Sequence, residues 1–211
     1  MCRTRPTILL FFLSLVLCAN ASAQPLDAFY QFEQRLLDSK NLDLPFHVVA
    51  TGAVEANIRG TLRKRENGDI ELSAAGSFAG QELDLIAALR DERFMYGNRL
   101  NPVSGEAPAD LWRSLVIGLT RMGVLHNIAN LSANTIPDHA GGGVADWVTV
   151  TNMQNIEESF AFDIVVADTP SGSATLAFDK LGFPGIRHQT VAFPGGEMRV
   201  VETYVEAFRN E

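Results

Sequence analysis

The stretch Phe46-His47-Val48-Val49-Ala50-Thr51-Gly52-Ala53-Val54-Glu55-Ala56-Asn57-Ile58-Arg59-Gly60-Thr61-Leu62 decides the fold class, because every even position in it is apolar. The odd positions are mostly polar. Side chains of an extended chain point alternately to opposite faces, so this alternation predicts strands with one buried and one wetted face. The buried face is short of bulk, because Ala50, Gly52, Ala56 and Gly60 fill little space beside Phe46, Val48, Val54, Ile58 and Leu62. Such a face predicts either close packing by a helix or a hollow left for an apolar ligand.

The alternation continues through Ile70, Leu72, Ala74, Gly76 and Phe78 and then through Leu83, Leu85, Ala87 and Leu89. Strands are expected at about 46–54, 57–65, 69–78, 81–90 and 93–97. Asn67-Gly68 between two of them predicts an antiparallel hairpin with a type I′ turn. Glycines at 52, 60 and 76 would weaken a flat sheet and ease bending, so strong curvature is expected. Ahead of the strands, Leu26, Phe29, Tyr30, Phe32, Leu36 and Leu37 have the three-and-four spacing of a short amphipathic helix.

After a Gly, Pro and Asn-rich loop at 98–108, a second helix is expected from Pro108 or Ala109. Trp112, Leu115, Leu119 and Met122 form its apolar stripe, with His126 on the same side, while Ile117, Val124 and Ile128 interrupt the polar side. A helix apolar on more than one side is covered on more than one side. Gly118 and Gly123 are candidate breaks. A second irregular stretch, 132–146, precedes strands expected at 147–152, 159–167, 173–179, 186–193 and 198–208.

Residues 1–23 read as a secretory signal peptide. Arg3 and Arg5 precede an apolar core from Ile8 to Ala19, and Ala21-Ser22-Ala23 fits a cleavage site before Gln24. The core is shorter than the ~20 residues of a membrane span, and Leu17 before Cys18 is bulky for a lipid-attachment signal. Residues 24–211 are then expected to fold as one domain with no stable membrane anchor. Both cysteines fall in the leader, which excludes thiolate metal sites and cysteine nucleophiles from the remainder. A formal charge of −8 without Lys or Arg runs argues against nucleic acid as a partner.

No enzyme or metal signature emerges, and no cofactor is expected. His47, His126, His139 and His188 are scattered without metal-ligand spacing. Asp138-His139 ahead of Gly141-Gly142-Gly143 is a poor match to an esterase oxyanion loop, since Ala140 intervenes and no Gly-x-Ser-x-Gly exists. The same glycines lack the Lys-Ser/Thr of a phosphate loop. His126 reads first as a satisfied core histidine and second as a group that bonds a ligand headgroup.

The order of these elements, a leader, a helix, a block of antiparallel strands, a helical insertion, and further strands ending in Val200-Val201-Glu202-Thr203-Tyr204-Val205-Glu206-Ala207-Phe208, resembles the LolA/LolB/LppX-like superfamily. The resemblance covers most of residues 25–208. It implies an α+β fold, a strongly curved antiparallel sheet forming an incomplete β-barrel, with helices covering its concave face. It also implies a periplasmic, non-catalytic carrier that binds an acyl chain of a lipid or lipoprotein, as in outer-membrane lipoprotein sorting. The expected ligand wall is Val48, Ala50, Val54, Ile58, Leu72 and Phe78 on the sheet, with Trp112, Leu115, Leu119, Met122 and His126 on the helix. The alternative is an envelope protein-interaction or sensor module with a fully packed core.

Overall fold

A computed structural model describes residues 11–136, 148–193 and 195–205, with side chains from residue 24 onward. Helix α1 (Phe11–Leu37) leads into β1 (Leu42–Gly52), β2 (Ala56–Lys64), β3 (Ile70–Phe78), β4 (Gln81–Arg90), β5 (Arg93–Asn98) and the short β6 (Val103–Gly105). Next come α2 (Leu111–Ile117), a π-helical turn (Gly118–Met122) and α3 (Val124–Ser132). Five strands follow: β7 (Val148–Ile156), β8 (Ser159–Val166), β9 (Thr169–Phe178), β10 (Pro184–Phe193) and β11 (Gly196–Tyr204).

The strands form one open antiparallel sheet in the order β6-β5-β4-β3-β2-β1-β11-β10-β9-β8-β7. Two meanders therefore meet at the centre, where β1 pairs with β11 and Phe46 lies opposite Tyr204. Each meander runs outward to its own edge. The chain between β6 and β7 must consequently pass from one edge of the sheet to the other, and this link carries α2 and α3.

Register carries the inner face across the sheet in continuous rows. One row runs Phe160, Leu176, Arg187, Glu202, Val48, Ile58, Gly76 and Leu83. Its neighbour runs Phe162, Ala174, Gln189, Val200, Ala50, Ala56 and Phe78. Helix α1 lays Phe29 and Phe32 against Phe160 of this face, with ring centroids 5.4 and 5.8 Å apart. The last carbonyl of α1, Leu37 O, accepts from Lys64 Nζ and Trp112 Nε1, both at 3.1 Å, which ties the helix to β2 and α2.

The small residues are spent on close approach. Phe46 folds its ring over Gly60, so a Cβ there would collide with it. Glycine 76 (φ +142°) and Gly52 (φ +101°) lie against neighbouring backbone in the same way. The turn at Asn67-Gly68 departs from the expected type I′. Only Gly68 of the pair takes a positive φ (+93°), Gly68 N donates to Arg65 O at 2.9 Å, and the Asn67 side chain accepts from Asp69 N at 3.1 Å. This is a type I turn closed by a glycine bulge, favoured because the Asn side chain bonds its own loop. The loop expected at 98–108 contains β6, and the expected strand at 173–179 begins earlier, at Thr169. The glycine run 141–143, His139, Trp147 and 206–208 lie outside the described residues.

Candidate functional site

The helical link is fastened to the middle of the sheet by buried polar groups. Arg187 on β10 is fully buried and donates from Nη1 to Thr120 O and from Nη2 to Arg121 O, both at 2.8 Å, with Nε to Gln189 Oε1 at 3.0 Å. Glu202, its cross-strand neighbour, accepts from Leu125 N at 3.0 Å. The sheet thus supplies a cation to carbonyls at the end of the π-helical turn and an anion to the Leu125 N–H in the first turn of α3, each matching the partial charge of the helix end it meets. Between the two ends stands Gly123 (φ +88°), where a Cβ would lie 2.5 Å from Glu202 Oε1.

Tyr204 Oη donates to Glu202 Oε2 at 2.5 Å. Burial, and next the Glu202 charge, push the Tyr204 hydroxyl well above its usual range, so it stays a donor. Burial lowers the Arg187 guanidinium below its ordinary value, opposed by Glu202 and Tyr204. A second buried pair joins α1 to the same turn. Arg121 meets Glu33 through Nε–Oε1 and Nη2–Oε2, both at 2.8 Å, and Nη1 reaches Val148 O at 2.9 Å. Burial alone would depress Arg121, but its hydrogen bond to Glu33 and the Glu33 charge raise it overall.

The expected ligand wall is mostly closed. Val48, Ile58, Leu72 and Leu115 are 0 % exposed, Leu119 1 % and Ala50 2 %, all in one core cluster. Trp112 is occupied in anchoring Leu37 O beneath Lys64, whose Nζ sits 5.0 Å from the ring centroid. Met122 and Val54 are half-buried against the core. His126 is half-buried, burial pushes its pKa down to about 4, and Asn130 Nδ2 lies 3.2 Å from its Nε2. These wall residues share that cluster with Leu111, Val116 and Ile128 of the helical link.

An opening does exist at the end of that face. A cleft of about 370 Å³ lies where α3 ends, floored by Phe78, Leu83 and Leu85 and rimmed by Asn98, Ser132 and Asn134. Phe78 and Leu83 are half-buried and stand at the ends of the two inner-face rows, and the row that ends in Leu83 holds Arg187 and Glu202. Of the sequence-predicted wall, Phe78 lines this cleft. Leu83 and Leu85 belong to the alternation already visible at 83–89 but carried no signal marking them as an opening.

No family model and no curated protein matches this sequence. Among solved structures the chain is similar to a LolA superfamily protein from Nitrosomonas europaea, at 10% identity and a TM-score of 0.39, covering 90% of this chain and 94% of that one. A β-barrel-like protein of the domain of unknown function DUF1849 from Brucella abortus shows 9% identity and a TM-score of 0.22, covering 81% of this chain and 98% of that one. Strand order and register, rather than these likenesses, define the fold described above.

Proposed function

We propose that this chain is a non-catalytic binding or carrier protein for an apolar chain, the acyl tail of a lipid or lipoprotein, working in the periplasm after removal of residues 1–23. The observation that carries the reading is the apolar floor of Phe78, Leu83 and Leu85 in a cleft on the inner face of the sheet, at the end of the helical link. Burial of a hydrocarbon stabilises by about 0.8 kcal/mol per methylene, so about ten methylenes contribute roughly 8 kcal/mol before ordering costs. This gain would offset part of the burial of Val124, Leu125, Ile128 and Leu131 that a shift of α3 gives up. Gly123 is the natural pivot, because it alone separates the π-helical turn held by Arg187 from the helix held by Glu202. Movement of α3 about this point would extend the cleft along Val48, Ile58 and Leu72, the wall that the sequence suggests.

Binding of a fluorescent fatty acid to residues 24–211 tests this reading. Saturable binding that Leu83→Arg weakens at least tenfold is the expected result. A second reading, an envelope protein-interaction module, is favoured by the near-complete burial of Val48, Ile58, Leu72 and Leu115. Absence of fatty-acid binding to the wild-type protein would select it.

A further inference from the structure

A second cleft, of about 480 Å³, opens across β7 to β11. The side chains that alternate outward along these strands, turned away from the core, set its chemistry. Register arranges them in two rows: Arg199, Thr190, Ser173 and Asp163 from β11 to β8, and beside it Val201, His188, Thr175 and Ala161. Asp163 Oδ2 accepts from Asn152 Nδ2 at 2.7 Å, which fixes the carboxylate at one end. Arg199 Nε lies 2.8 Å from Glu197 Oε1 at the other end, in an exposed pair that leaves its terminal nitrogens for another acceptor. The side chains of Ser173, Thr175, His188 and Thr190 make no hydrogen bond to another described residue, so the strip between the two charges is uncommitted.

Arg199 and Asp163 stand three strand spacings apart, about 14 Å. A neutral saccharide would use the hydroxyls but leave both charged ends idle. An extended peptide rises about 3.4 Å per residue, so about four residues span the strip with an ammonium at one end and a carboxylate at the other. We propose that this cleft binds a short peptide with free termini, its ammonium at Asp163 and its carboxylate at Arg199, with Ser173, Thr190 and His188 available to its backbone. The site is separate from the apolar cleft and does not depend on it.

Titration of the isotope-labelled protein with tetraalanine, followed by amide chemical shifts, tests the proposal. Saturable shifts confined to the strand segments around Asp163, Ser173, His188 and Arg199 are expected. Acetylating the amine and amidating the carboxyl of the peptide should abolish them. Asp163→Asn and Arg199→Gln should each weaken binding about fivefold, the weight of an exposed ion pair, while Leu83→Arg leaves it unchanged. Equal binding of free and blocked peptide, binding of maltotetraose at the same residues instead, or no shift with any of these probes would overturn the proposal.

Discussion

Arg187 shows at the residue scale why part of the site is hidden from sequence reading. In Ile186-Arg187-His188-Gln189-Thr190 the alternation rule sends the apolar Ile186 inward, yet Ile186 is 36 % exposed and Arg187 is 0 % exposed. Both faces of this strand are polar on paper. The inward position is set by pairing with Glu202, a long-range fact of register, and by helix carbonyls that await a donor. Replacing Arg187 by Met strips the Thr120 and Arg121 carbonyls of their donor and removes the charge facing the buried Glu202, and leaving a buried charge uncompensated costs about 3–5 kcal/mol. Urea unfolding should show that loss, and adding Glu202→Gln to Arg187→Met should recover part of it. His126 gives a pH signature. Its pKa is about 4 in the folded protein against 6.5 when unfolded, so the unfolded chain binds more protons between these values. Stability from this group is complete above pH 6.5, falls as pH drops toward 4, and changes no further below that. Urea midpoints measured from pH 7 to pH 4 should decline less steeply for His126→Gln than for the parent.

At the scale of elements, the long strands were legible because one face of each is buried and their side chains therefore alternate, as Phe160, Phe162 and Ile164 do on β8. Turns were less so. The β4–β5 hairpin turns on Asp91 and Glu92 with φ of +47° and +62°, a conformation that Asn-Gly or Asp-Gly favours and that glutamate adopts at a cost. Nothing in Asp-Glu announces it. Glu92→Gly should relieve this strain and raise stability by about 0.5–1 kcal/mol, a gain readable as a higher melting temperature. The helix expected from 108 onward, with Gly118 and Gly123 as candidate breaks, is divided at both into α2, a π-helical turn and α3. Gly123 was a visible candidate for the break. What sequence could not supply is that Arg187 and Glu202, distant in the chain, satisfy the helix ends which the break exposes.

For the whole molecule, the alternation in residues 46–62 pointed to strands with one buried face and Asn67-Gly68 to antiparallel pairing, but neither pointed to the meeting of β1 with β11, which lies in pairings more than a hundred residues apart. That closure places the two free edges at β6 and β7 and obliges the helical link to cross the sheet. Among the described residues, Phe46 lies over Gly60, and a cleft opens on this face where α3 ends, beside Phe78 and Leu83. We propose that an acyl chain enters there. Photo-crosslinking of residues 24–211 with a diazirine-bearing palmitate, followed by peptide mapping, addresses it directly. Labels concentrated on Phe78, Leu83 and Leu85, displaced by excess unlabelled palmitate, are the predicted result. Labelling that ignores competitor, or that maps to the outer face of the sheet, would contradict it.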